Sequence, residues 1–397
     1  MERPLTIAEA LEHVLGAVAP LPVEPVPLDA AAGRVLAAPA RARTDLPPFP
    51  SSAMDGFALR AADAPGTLPV VGRVTAGRPA GRPLEPGRAM AIATGGALPD
   101  GADAVVPIER VDDRGAAVDV PEAVEAGANV RPRGGDVRSG EEVVPAGAVL
   151  APARLAALAA AGIAEVSCGR RPRAAVLTTG TELRPPGAVL GPGQIYESNG
   201  VMLAALLAAA GALVDRLDSV EDDAAAHRDA LERGLAADVL VTSGGVSVGP
   251  HDLVRATLRE LGVEERFWGV AMRPGKPLSF GVRGATLVFG LPGNPVSSLV
   301  GAELFVRPAL LALQGAAEPG PRWQLGVLAA SVRRNPVRDE LLRARSTVGP
   351  DGVELAPATG QESHMIVRAA AADALALVER GEGEAAAGTP VRYLRLA

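Results

Sequence analysis

The sequence predicts a multidomain protein of α/β plus β class, and three observations carry that expectation. After Arg173 an apolar run repeatedly breaks at glycine before a helix-like stretch: AAVLTTG before Val201 to Ala210, DVLVTSGG before Leu253 to Leu261, TLVFGLPG before Val296 to Leu313. Such alternation builds a doubly wound parallel sheet with helices on both faces. From Pro69 to Pro145 short β-rich runs (VVGRVTAG, AMAIATGG, ADAVVPIE, EVVPAG) alternate with glycine and proline, with almost no helical pattern, which suits a small all-β unit. Beyond the linker EPGP at Glu318 to Pro321, short strands return in GVELA, ALALV and VRYLRL, the pattern of a small terminal β domain.

Each element has a local reason. Thr6 and Glu9 form a capping box for an opening helix. Pro25 to Val35 suits a short edge strand, and LPPFP at Leu46 to Pro50 is a stiff, non-helical break. Pro152 opens the helix Ala153 to Ala161, which Gly162 closes. That helix resembles the opening one, so the β unit reads as an insertion into a helical N-terminal domain.

Composition narrows the function. With 397 residues, 48% hydrophobic and 21% charged, the chain can fill several cores. Aromatics at 3% leave no stacking platform for single-stranded nucleic acid, and a net charge of -7 disfavours a phosphate-backbone partner. Cys168 is the single cysteine, which excludes an internal disulfide and a Cys-rich zinc site and fits a reducing cytoplasm. MERPLTIAEALEHVLG has no signal pattern and reads as a mature N-terminus. The longest apolar stretches, Leu155 to Ala164 and Val201 to Ala210, are about half a membrane span and read as core helices. No membrane or nucleic-acid partner is expected.

The loop TSGGVSVGPHD, Thr242 to Asp252, follows an apolar run and precedes a helix. Ser243, Gly244, Gly245 and Ser247 then bring backbone N–H groups toward an anion, although a tight strand-to-helix turn is the plainer alternative. Its spacing is neither G-x-G-x-x-G nor G-K-[ST]. In LPGNPVSS, Pro292 and Pro295 frame a helix start, Asn294 is a candidate cap and Ser297 puts a hydroxyl in the first turn. MRPGKP presents Arg273 and Lys276 on a proline-stiffened turn. TTGTEL supplies Thr179, Gly180 and Glu182, and Glu182, Asp222 and Asp252 are the candidate Mg²⁺ ligands beside a phosphate loop. Asp252 is equally able to cap the next helix. In the β unit the polar loops SSAMDGFA, TGGALPDGADAVV and NVRPRGGDVRSG single out Asp55, Thr94, Arg131 and Asp136; Asp55 and Asp136 also suit plain turns.

Taken in order, SSAMDGFA, TGGALPDGADAVV, NVRPRGGD, TTGTEL, TSGGVSVGPHD, MRPGKPLSFG and LPGNPVSS resemble the molybdopterin molybdenumtransferases, the MoeA and gephyrin E-domain family, across nearly the whole chain. The resemblance implies four domains: an elongated helical N-terminal dimerisation domain (1–43 with 142–170), an inserted β domain (44–141), a MogA-like α/β molybdopterin-binding domain (171–316) and a terminal β barrel (317–397). It implies insertion of molybdate into adenylyl-molybdopterin with Mg²⁺-dependent release of AMP. Molybdate would meet Arg273, Lys276, Ser297, Arg343 and Ser363, with Asp55, Thr94, Asp136, Glu182, Asp222 and Asp252 around the pterin and nucleotide. Asp55, Glu182, Asp222, Asp252 and Lys276 form the implied catalytic set. Arg273 stands where many relatives carry lysine. Implied partners are a second copy of the chain, whose β domain reaches the cleft, an adenylyltransferase that supplies the substrate, and acceptor molybdoenzymes. A noncatalytic scaffold and an adenylyl-transfer enzyme are the competing readings.

Overall fold

The computed structural model of the chain describes residues 3–217, 224–245, 253–350 and 352–396. Its centre is a six-stranded sheet of β1 (Arg173–Thr178), β2 (Leu213–Arg216), β3 (Val239–Ser243), β4 (Glu264–Trp268), β5 (Ser279–Arg283) and β6 (Thr286–Leu291), in the order β2-β1-β3-β6-β5-β4. The first four in that order are parallel, and β5 runs antiparallel to both its neighbours. The antiparallel turn follows from chain length: Arg283 pairs with Thr286, and so short a link permits a hairpin but no crossover. Side chains alternate as strand geometry demands. Val176, Val241 and Phe289 enter one core, while Leu177, Leu240 and Val288 enter the other.

Helix Asn199–Ala209 and a long helical segment from Pro295 to Leu313 cover the first face; Ala224–Gly234 and Leu253–Glu260 cover the second. The segment Pro295–Leu313 is long and apolar enough to cross a membrane, yet 72% of that window is buried. This corrects the expectation that the longest apolar stretches are about half a span. Glu303 and Arg307, paired at 3.2 Å, interrupt the apolar run without making the helix polar. The opening helix Ile7–Gly16, with its Thr6–Glu9 capping box, also packs here through Ala10 and Val14.

The remainder of the N-terminal region departs from the helical expectation. Val23–Pro27 pairs with Glu165–Gly169, and Ala40–Arg41 with Glu142–Val144, leaving Pro152–Ala160 as the helix of a mostly sheet unit. Proline at 20, 22, 25 and 27 permits extended backbone and forbids helix interior, which is why the opening helix stops at Gly16. Between these strand pairs the inserted unit forms its own six-stranded sheet, with Gly56–Leu59 between Ala104–Pro107 and Ala89–Ile92.

After the linker come β7 (Gln324–Leu328), β8 (Asp339–Gly349), β9 (Gly352–Pro357), β10 (Ala374–Val378) and β11 (Pro390–Arg395). They pair in the cycle β8-β9-β7-β11-β10 and back to β8, a closed five-strand barrel. Leu342 and Ala344 fill the barrel, whereas Leu341 belongs to the α/β core. The barrel therefore shares apolar packing with the central domain.

Candidate functional site

Register brings the three glycine breaks together. Thr178, Ser243 and Leu291 are opposite one another on adjacent parallel strands, so the chain leaves β1, β3 and β6 side by side, where ligands of open α/β sheets bind. The Thr179 amide donates to the Ser243 carbonyl at 3.1 Å, and the Gly244 amide to the Leu291 carbonyl at 3.1 Å. Gly244 takes φ +94°, and a Cβ there would come within 2.7 Å of the Thr179 carbonyl oxygen. Only glycine fits that crossing without strain. Glu182 is exposed and its carboxylate folds over Gly180, within 2.5 Å of where a Cβ would stand.

Beneath these loops lies a polar network that sequence reasoning missed. Asn199 Nδ2 donates to Ser243 Oγ at 2.9 Å and to the Gly293 carbonyl at 2.7 Å. Ser243 Oγ contacts Ser298 Oγ at 3.1 Å and donates to the Pro292 carbonyl at 3.2 Å. Ser298, fully buried, also donates to Pro292. Asn199 thus ties the glycine loop to the LPGNP loop from the start of the neighbouring helix. The available signal was a polar Asn199 opening an otherwise apolar helix, NGVMLAALLAA.

Pro295 occupies the first turn of its helix, as expected, but the side chain of Asn294 makes no capping hydrogen bond. The Val296 amide, a donor that a cap would serve, instead donates to the carbonyl of Ser363 at 3.0 Å. The barrel supplies the cap. Ser297 is buried next to this contact, and the turn at Gly275 lies against it, with a Cβ there 3.6 Å from the Ser297 carbonyl oxygen. The backbones of Gly275 and Ser363 thus both lie against the start of the helix that opens at Pro295.

The three cations expected there differ sharply. Arg273 Nη1 donates to Glu340 Oε1 at 3.0 Å, and Glu340 is a buried carboxylate on β8. Arg343 is 1% exposed. Its guanidinium donates to the carbonyls of Gly360 at 2.8 Å and Glu362 at 3.1 Å, and burial pulls its pKa below the ordinary arginine range. Lys276 is exposed and, among the described residues, has no ion-pair partner. It is also the only lysine in the chain.

In the inserted domain Asp55 and Thr94 are direct partners: Asp55 Oδ1 accepts from the Thr94 amide at 2.7 Å and from its hydroxyl at 3.1 Å. Arg131 pairs through its backbone with Ser51, on the strand leading to Asp55. Asp136 is exposed on the following turn, its amide donating to the Leu46 carbonyl at 2.9 Å. Among the described residues, no hydrogen bond or ion pair joins these four to the α/β loops.

Asp222, Ser247 and Asp252 lie outside the described residues. Among the described ones no group of three or more His, Cys, Asp or Glu side chains is placed to hold a metal ion. Glu182 is the one member of the expected carboxylate set whose surroundings are described.

An α/β sheet whose parallel strands open into these three loops defines the class of chain first. Residues 175–312 match the family model described as a probable molybdopterin binding domain. On either side, residues 5–162 match the MoeA N-terminal region (domain I and II) and 326–396 the MoeA C-terminal region (domain IV). The molybdopterin molybdenumtransferase of Synechococcus elongatus is 37% identical, covering 99% of this chain and 100% of the relative. That of Haemophilus influenzae is 34% identical over 98% and 97%. In structure, a molybdopterin biosynthesis moeA protein from Pyrococcus horikoshii superposes with TM-score 0.85 at 27% identity, over 99% of this chain and 100% of that one. The chain belongs to the MoeA family of molybdopterin molybdenumtransferases, transferases of molybdenum cofactor biosynthesis.

Proposed function

We propose that the chain inserts molybdate into adenylyl-molybdopterin, with Mg²⁺-dependent release of AMP, as a cytoplasmic homodimer. The observation that supports this reading is the hydrogen bond from the Val296 amide to the Ser363 carbonyl, which brings the chain at Ser363 to the start of the helix carrying Ser297, where the turn before Lys276 also lies. A tetrahedral oxyanion suits that set: an ammonium for charge, hydroxyls for directed hydrogen bonds and a helix dipole behind them. The adenylyl and pterin phosphates take the glycine side, along Thr179, Gly180, Ser243, Gly244, Gly245 and Ser247, with Pro292 and Pro295 shaping the shared wall.

Glu182, with Asp222 and Asp252, forms the proposed Mg²⁺ set. Of the three, Glu182 lies among the described residues; one or two such carboxylates would hold Mg²⁺ together with water and the substrate's phosphate oxygens. Asp55, Thr94, Arg131 and Asp136 act from a second copy of the chain; among the described residues no hydrogen bond or ion pair joins them to the α/β loops of their own copy, which supports this. An adenylyltransferase supplies the substrate, and molybdoenzymes accept the product. The test is AMP formation from adenylyl-molybdopterin with molybdate, with and without EDTA. Turnover that persists in EDTA would remove Mg²⁺ from the scheme, and binding without any AMP formation would leave a scaffold.

A further inference from the structure

Arg273 has a carboxylate partner within the fold. Its turn is fixed by backbone: Met272 and Arg273 pair in parallel with Asp339 and Glu340, and the Asp339 amide donates to the Ala271 carbonyl at 3.0 Å. Within that register the Arg273 guanidinium sits 3.0 Å from the carboxylate of Glu340, whose side chain is 9% exposed. A buried carboxylate beside an anion site is unfavourable twice over, because it lacks water and because it repels the ligand. Arg273 answers both.

We propose that Arg273 is the charge partner of Glu340 and not an oxyanion ligand, and that this pair, by withholding the second cation, sets the anion affinity of the cleft. Glu340 is then a specificity-determining residue, acting on the bound oxyanion through Arg273. Lys276 is left as the cation that meets the ligand, in a chain whose other lysine and arginine positions are all arginine. An ammonium is a compact point charge with three rotatable donors that can turn toward whichever oxygens the anion presents. The inference rests on the reading that an oxyanion binds beside Lys276.

A charge-swap cycle separates the two roles. Molybdate binding to the full chain is measured by calorimetry at low salt for wild type, Arg273→Met, Glu340→Gln, the double variant and Lys276→Ala, with melting curves to establish folding. Arg273→Met should weaken binding roughly tenfold by exposing the ligand to an uncompensated carboxylate. Glu340→Gln, which frees Arg273, should tighten binding, and the double variant should return to within about twofold of wild type. If Arg273 were a ligand, the double variant would stay as weak as Arg273→Met, and that result overturns the proposal, as does weaker binding by Glu340→Gln. Should Arg273→Met fail to fold, the Glu340→Gln and double variants decide alone. Normal molybdate binding by Lys276→Ala would instead strike the underlying oxyanion reading.

Discussion

The carbonyl of Ser363 accepts a hydrogen bond from the amide of Val296 at 3.0 Å, so the terminal barrel caps the helix that begins at Pro295. A helix N-terminus that a side chain would ordinarily close is closed here by another domain. The start of this α/β-domain helix and the barrel loop are consequently one unit, and several consequences are measurable.

Lys276→Ala should bind molybdate roughly tenfold or more weakly, since one charge-assisted contact is worth on the order of 1.5 to 3 kcal/mol. Binding of adenylyl-molybdopterin should change far less. Calorimetry with each ligand decides: loss of the pterin nucleotide with molybdate binding intact would move the MRPGKP turn to the phosphate side.

Arg343→Met removes the two hydrogen bonds that hold the Gly360 and Glu362 carbonyls and leaves those acceptors unsatisfied. The expected cost is roughly 2 to 4 kcal/mol in urea unfolding, together with weaker molybdate binding as Ser363 loses its support. Unchanged stability with lost anion binding would identify Arg343 as a direct ligand.

Gly244→Ala forces a side chain into a left-handed backbone against the Thr179 carbonyl. Strain of about 1 to 3 kcal/mol is expected, and because Gly244 lies in the loop proposed to hold the phosphates the loss should appear in nucleotide affinity as well as in melting temperature. A variant with normal affinity would show that the loop tolerates rearrangement.

Acid should expose the barrel's dependence on Asp373. The Ser346 amide donates to its carboxylate at 2.7 Å and the Ser346 hydroxyl at 2.9 Å. The amide bond is the main reason its pKa lies below the usual carboxylate range. A depressed folded pKa means that the stabilisation is complete above the unfolded value of about 4 and disappears as pH falls through the folded one. Wild type should therefore out-melt Asp373→Asn at pH 7, and the gap should close in stronger acid. A gap that persists there would mean the charge plays no part.

If the Asp55 loop serves the cleft of a second copy, inactive Asp55→Ala and inactive Lys276→Ala chains should regain partial AMP release when mixed under conditions that exchange subunits. No recovery after verified exchange would place the whole cleft within one chain.

Local chemistry made much of this protein readable from its residues. Alternating apolar runs set the two faces of the central sheet, because a strand's side chains can point only two ways. The breaks after Thr178, Ser243 and Leu291 mark where those strands end, because Gly180 and Gly244 adopt backbone conformations that other residues resist. The Thr6–Glu9 capping box is likewise a short-range property. What the tertiary structure alone decided are the partnerships between distant segments. Arg273 meets Glu340 only because β8 runs beside its turn, and Arg343 is buried because its strand is covered by both the barrel and the α/β core. The Val296 amide is taken by the Ser363 carbonyl and not by the Asn294 side chain, and Asn199 is a structural tie only where two loops converge above it. The same sequence that advertises three cations leaves Lys276 as the uncommitted one, because charge is a property of residues but its availability is a property of what packs against them.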